Sequence, residues 1–318
     1  MRRREFMSGL GGTAVACPLV AGARSALAQA SGRVYRLGHL AIAGPAEALT
    51  RQITLLELAK LGFVEGRNLV FDARTGAQAA MPGLMRELLD ARPDAVIALG
   101  EAAIAAAAVA TRTVPIVGFA ADPVELGLAQ SYARPGGNVT GVTILISELE
   151  VKRLSILREA VPERRRVAAL VSTTQRASSE PTLRKAAPGL DVELLVFPIA
   201  APTDYAAAFA AMRAGGAEAL LIGAAPEFSR DAKQLAALAL EARLPTVCEW
   251  ADMAHAGCMI GYGANRRALR RRMAAQVAQI FRGNAPGDVA IEQPTTFEFA
   301  LNLKTAKALG LTIPPTLL

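Results

Sequence analysis

The stretch Ala95-Val96-Ile97-Ala98-Leu99-Gly100 is apolar throughout, short, and bounded by Pro93-Asp94 on one side and a glycine on the other. A strand with aliphatic side chains on both faces must be buried on both, which is the condition of a parallel strand covered by helices above and below. Residues 101–112 continue as an alanine-rich segment of helical period, so the unit reads strand, turn, helix. Working outward, 35–43, 68–73 and 115–120 repeat the strand pattern and alternate with expected helices near 46–61, 79–91 and 123–133. Such a βαβ series predicts a parallel sheet of α/β class.

The series breaks at Arg134-Pro135-Gly136-Gly137-Asn138 and resumes with a strand at 139–145 and a helix at 147–160, for which Ser147 is the expected N-cap. A second series follows, with strands at 166–172, 192–197, 219–223 and 245–249 and helices near 178–187, 203–213 and 227–242. Residues 257–318 add a strand at 258–262, an arginine-rich helix at 265–282, the alternating strand Phe297-x-Phe299-x-Leu301 and a short C-terminal helix. Two doubly wound parallel-sheet lobes with a cleft between them are therefore expected. Lobe 1 is assigned 31–142 and 257–287, and lobe 2 is assigned 143–256 and 288–318.

Composition narrows the function. With 52% hydrophobic and 20% charged residues, the 318-residue chain has ample core and is not disordered. Aromatic residues make up only 5%, with Trp250 the single tryptophan, which disfavours broad stacking platforms for sugars or single-stranded nucleic acid. Residues 1–30 read as an export signal: a charged Met1-Arg2-Arg3-Arg4, an uncharged run to Ala23, and small residues at cleavage sites ending at Ala28 or Ala30. Arg3-Arg4-Glu5-Phe6-Met7 further resembles a twin-arginine signal, and a periplasmic location follows. Lipidation at Cys17 is the weaker alternative. Removing Arg2, Arg3, Arg4, Arg24 and Glu5 lowers the formal charge from +7 to +4, too little to call for a nucleic-acid partner. The one basic cluster, Arg266, Arg267, Arg270, Arg271 and Arg272, reads as a solvated helix face or as a docking surface for an acidic partner. Cys248 and Cys258 either form a disulfide in this oxidising compartment or remain two buried thiols.

Motifs for catalysis are missing. The sequence has no Gly-x-Ser-x-Gly elbow, no Gly-Lys-Ser/Thr phosphate loop and no His-Glu-x-x-His helix, and its two histidines, His39 and His255, sit in no ligand cluster. Neither an enzyme nor a cofactor or metal is expected. Gly261-Tyr262-Gly263 is read as a strand that needs close backbone approach rather than as a dinucleotide fingerprint.

In open α/β sheets, ligands sit beyond the carboxyl ends of strands, beside helix N-termini. That rule nominates Ala43, Gly100, Glu101, Asp122, Pro123, Ser172, Thr173, Glu227, Glu249 and Trp250 as ligand-binding residues. Glu101, Asp122, Glu227 and Glu249 each have an alternative use as helix-cap or first-turn carboxylates, whereas together they suit an ammonium group. Trp250 reads either as a rim residue covering a ligand or as a core-edge side chain.

Longer motifs point to a family. Asp122-Pro123-Val124, the run from Ala133 to Thr143, Lys152-Arg153-Leu154, Gly261-Tyr262-Gly263, Glu292-Gln293-Pro294-Thr295-Thr296-Phe297-Glu298 and the run from Asn302 to Pro315 resemble the ABC-transporter substrate-binding proteins of the tryptophan/tyrosine-uptake type. The resemblance implies a type I periplasmic-binding-protein fold and two lobes closing on an amino acid or similar small polar organic molecule. It further implies delivery to an ABC permease in the inner membrane, by a protein expected to be a monomer. The alternative is a ligand-binding sensor subunit for a membrane signalling partner. The match departs from the family where ligands are chosen: Ala41-Ile42-Ala43-Gly44 and Gly100-Glu101-Ala102 lack the hydroxyl residues that relatives often carry.

Overall fold

A computed structural model describes residues 32–318 apart from 121, 174 and 175. The export signal expected over residues 1–30 lies outside the described residues. The fold is the expected α/β one, with two sheets. The first contains β1 (Tyr35–Ile42), β2 (Leu69–Gly76), β3 (Ala95–Leu99), β4 (Ile116–Ala120) and β5 (Val139–Thr143) in the order β2-β1-β3-β4-β5, all parallel. The second contains β6 (Arg166–Ser172), β7 (Glu193–Ile199), β8 (Ala219–Ile222), β9 (Thr246–Cys248), β10 (Ile260–Ala264) and β11 (Phe297–Leu301) in the order β11-β10-β9-β8-β6-β7. Among the described residues only the β10–β11 pair of this sheet is antiparallel. Every residue of β3 and of β8 is buried, as their unbroken apolar sequences require.

In the first lobe, α1 (Ala46–Leu49) runs through a π turn into α2 (Leu56–Lys60), and α3 (Met81–Asp90) and α4 (Glu101–Ala110) follow their strands. In the second, α5 (Ile146–Ala160), α6 (Arg176–Ala186), α7 (Tyr205–Ala214), α8 (Pro226–Arg230), α9 (Ala232–Glu241) and α10 (Ala251–His255) alternate with strands. After β10 comes α11 (Arg266–Phe281), which returns to the first sheet and packs against β3, β4 and β5, and α12 (Leu303–Ala308) closes the chain.

Three expectations need correction. Residues 123–133 form turns instead of a helix. Asp122 starts a single turn, with the Leu126 N–H bonded to its carbonyl, and Gly127 at φ +67° turns the chain out of it. The cap of α5 is Leu145, not Ser147. Leu145 adopts the left-handed conformation (φ 53°, ψ 55°), which places Ser147 inside the first turn. Strand membership also differs from the expected lobe division. β10 pairs with Val247 and Cys248 in the second sheet, so the first part of 257–287 lies there. Residues 289–292 stay with the first sheet, through the Thr140 hydroxyl bonded to the Val289 carbonyl at 2.6 Å and the Val142–Glu292 bridge. Among the described residues the chain therefore passes from one sheet to the other at 143–146, 264–266 and 292–297.

Cys248 and Cys258 form a disulfide that ties the end of β9 to the approach of β10, with Cα atoms 6.7 Å apart. The glycines of β10 fit the close-approach reading. A Cβ on Gly261 or Gly263 would overlap the carbonyl oxygen of Trp250 or Glu249, respectively. β10 thus lies against the backbone that carries the two residues nominated at the end of β9.

Candidate functional site

Strand order reverses around β1 in the first sheet and around β6 in the second, and the crevice beyond such a switch point is where open α/β sheets bind ligands. A cavity of about 70 Å³ occupies this place between the lobes. The first lobe contributes the ends of β1 and β3 (Ile42, Leu99, Gly100), Phe119 and part of α1. The second contributes Ala225, Pro226 and Ser229 around α8, with Glu249 and Trp250 after β9, and Arg266 and Arg270 enter from α11. The lobes touch across it. A Cβ on Gly100, where φ is +89°, would lie 3.0 Å from Pro226 Cγ, and one on Gly44 would lie 3.1 Å from the Arg230 side chain. Glycine at both positions lets the two walls approach.

Most of the lining is apolar, and the charged groups are few and specific. Trp250 is 6% exposed and the Arg266 guanidinium stacks over its ring, 4.7 Å from the centroid. Arg266 is also paired with Asp252. Arg270 is 3% exposed, donates from Nη1 to the Thr50 hydroxyl at 2.8 Å, and lies 5.1 Å from the centroid of the Phe119 ring. Burial, reinforced by Arg266, pushes its pKa down to about 9. On β1, burial and the nearby Arg270 and Arg51 hold His39 neutral, with a pKa of about 3.

Across the cavity, burial raises the Glu249 pKa to about 7 against the opposing pull of Arg153 and Arg266. Arg153 is fully buried on α5, where its Nε donates to the Tyr262 carbonyl at 2.7 Å. Glu150, one turn earlier, accepts from the Ala224 N–H at 3.0 Å, and burial raises its pKa too. The second lobe thus carries a buried group of two carboxyls and one guanidinium, of which only Glu249 reaches the cavity.

Of the residues nominated from sequence, Gly100, Glu249 and Trp250 line the cavity. The others lie elsewhere. Ala43 is exposed, its N–H bonded to the Gly76 carbonyl at 2.9 Å. Glu101 opens α4 and lines a separate groove between α3 and α4, where burial and then Glu125 raise its pKa. Asp122 accepts from the Val124 N–H at 2.8 Å and pairs with the Tyr132 hydroxyl, and Pro123 beside it is buried. Ser172 donates to Glu227 at 2.5 Å within the second lobe, and Thr173 is exposed with its N–H on the Ile199 carbonyl.

The Asp122 geometry is that of a capping residue. Asp122→Ala is expected to cost about 1 kcal/mol, Asp122→Asn less because the amide still caps, and neither is expected to alter ligand affinity. Urea denaturation and calorimetric titration check the two halves of this statement.

Sequence reasoning missed Arg266 and Arg270. The sequence presents the five arginines as one basic cluster, but residues four apart share a helix face and their neighbours do not. Arg266 and Arg270 point into the cleft, whereas Arg267, Arg271 and Arg272 are exposed, Arg271 pairing with Glu57 and Arg272 with Glu292. The available clue was their spacing at the start of a helix that follows an inter-lobe crossing.

Two α/β lobes joined by crossings among the described residues, with a cavity between them, define a type I periplasmic-binding-protein fold. Residues 40–318 match the family described as ABC transporter substrate binding protein, and the chain belongs to that family. It is a family of binding proteins, not of enzymes, and membership implies a small-molecule ligand and a membrane transporter as partner. Among curated proteins, the chain is 23% identical over 256 residues to a "Tyrosine-binding protein" of Clostridioides difficile (strain R20291), covering 79% of this chain and 73% of that one. Among solved structures, it resembles a conserved domain protein from Vibrio cholerae O1 biovar El Tor, with TM-score 0.83 and 24% identity over 90% of this chain and 97% of that one. It also resembles the ABC domain from Streptococcus pneumoniae in complex with L-Trp, with TM-score 0.82 and 19% identity over 89% and 97% of the two chains.

Proposed function

We propose that this protein is the exported, periplasmic component of an importer, binding an amino acid or similar small polar organic molecule between its lobes and delivering it to an inner-membrane permease. The observation that carries this reading is the cavity at the carboxyl ends of both sheets, which presents guanidiniums from α11 and the Glu249 carboxyl just after β9 to one small volume. An α-amino acid has complementary groups. The names of two relatives, one for tyrosine and one complexed with L-Trp, support the same class. The periplasmic location rests on the sequence of residues 1–30. Binding requires only that ligand contact both walls and so favour the closed arrangement, with the lobes hinging at the three crossings as a monomer.

The test is thermal denaturation of the mature protein with the twenty L-amino acids, followed by titration of Trp250 fluorescence. A ligand at a hundred times its Kd is expected to add about 2.7 kcal/mol of stability. It should also shift the emission of Trp250, the single tryptophan of the chain. If no amino acid raises the melting temperature of the folded protein, the amino-acid reading falls.

A further inference from the structure

We propose that Arg270 receives the anionic group of the cavity's ligand, so that this chain selects small carboxylates over neutral and cationic solutes. The inference rests on the reading that a small organic molecule binds in this cavity, and adds which group of that molecule is gripped and by which residue.

The other charged groups at the cavity each feel an opposite charge of the protein, although for Glu249 burial outweighs it. Arg266 has Asp252, and Glu249 faces the buried Arg153. Arg270 has none among the described residues: its polar contact is the neutral Thr50 hydroxyl, Phe119 offers only a ring face, and its Nε is buried without an acceptor. The surroundings make this worse for the cation. Arg266 is one turn away and adds a like charge, and the nearby His39 is neutral. Removing a guanidinium from water costs several kcal/mol unless a partner with good geometry offsets it. A planar carboxylate is such a partner, since it takes two parallel N–H bonds from one guanidinium. Mostly apolar walls and a single uncompensated positive charge suit a monocarboxylate better than a phosphate dianion, which would bring more charge than the site balances.

The test compares wild type, Arg270→Gln and Arg270→Lys against three sets of probes. These are the L-amino acids, their carboxamides, and the matching 2-hydroxy acids, which keep the carboxylate and lack the ammonium. Carboxamides are expected to bind wild type roughly 10- to 100-fold more weakly than the acids, the range for hydrogen bonds to charged groups. Arg270→Gln should lose a similar factor for the acids and no longer discriminate acid from carboxamide, and Arg270→Lys should recover part of it. A ligand-gripping role further predicts that ligand-free Arg270→Gln melts no lower than wild type, because it removes an unbalanced buried charge. A merely structural role predicts a lower melting temperature with unchanged affinity.

Equal binding of acids and carboxamides by wild type overturns the proposal, as does undiminished affinity in Arg270→Gln. If that variant does not fold, the lysine variant and the wild-type comparison decide. Binding of hydroxy acids but not amino acids, dependent on Arg270, would overturn the amino-acid reading and keep this one. No shift with any acid overturns both.

Discussion

Replacing Gly263 with alanine is expected to lower the melting temperature by roughly 6–12 °C, corresponding to at least about 3 kcal/mol. The added Cβ would overlap the carbonyl oxygen of Glu249, a backbone atom that no rotamer change can move aside. Relief requires displacing the loop after β9, which is anchored by the Cys248–Cys258 disulfide and flanked by β10 itself. The displaced residues, Glu249 and Trp250, line the cavity, so ligand affinity should fall along with stability. Differential scanning calorimetry together with ligand titration checks both. A Gly283→Ala control has no atom within 4 Å of the new Cβ, but it sits at φ +102°, so it separates backbone strain from overlap. If Gly263→Ala melts with wild type, the packing of β10 against the end of β9 is wrong.

The second large effect concerns pH. In the folded chain Glu249 titrates at about 7 against an ordinary value of 4.5, so the native state holds its proton more tightly than the unfolded chain does. Stability from this group is therefore complete below about pH 4.5 and is lost as pH rises toward 7. The integrated loss is about 3 kcal/mol. Glu249→Gln keeps the shape and removes the titration. The variant is expected to exceed wild type in stability at pH 8 and to lose that advantage by pH 5. Urea denaturation across this range measures the difference directly. A pH-independent difference would show that Arg153 already neutralises the Glu249 carboxylate in the folded chain.

The α/β architecture was legible because its signal is local. Strands buried on both faces, such as Ala95–Leu99 and Ala219–Ile222, are apolar at every position, and few other arrangements of such a segment satisfy its backbone and its side chains together. The strand-end rule also nominated Gly100, Glu249 and Trp250, which the structure places at the cavity, since a residue that ends a central parallel strand reaches the crevice whatever its neighbours are. The same rule nominated Asp122, Ser172 and Glu227, which do not line this cavity. Asp122 is engaged by Val124 and Tyr132, and one Glu227 oxygen by Ser172, and sequence position does not tell a carboxylate with a local partner from one that faces a ligand.

By itself, then, the sequence determined the alternation of elements, the two series, the close backbone approach at Gly261 and Gly263, and, through its long C-terminal motif, the family. Tertiary structure decided what depends on distances between remote segments. The bridge between Cys248 and Cys258 needed their Cα atoms at 6.7 Å, and the assignment of β10 to the second sheet needed Val247 as its neighbour. The inward face of α11 was decided last. Five arginines within seven residues look alike in sequence, and only the packing of that helix on the first sheet turns Arg266 and Arg270 to the cavity and leaves the other three outside.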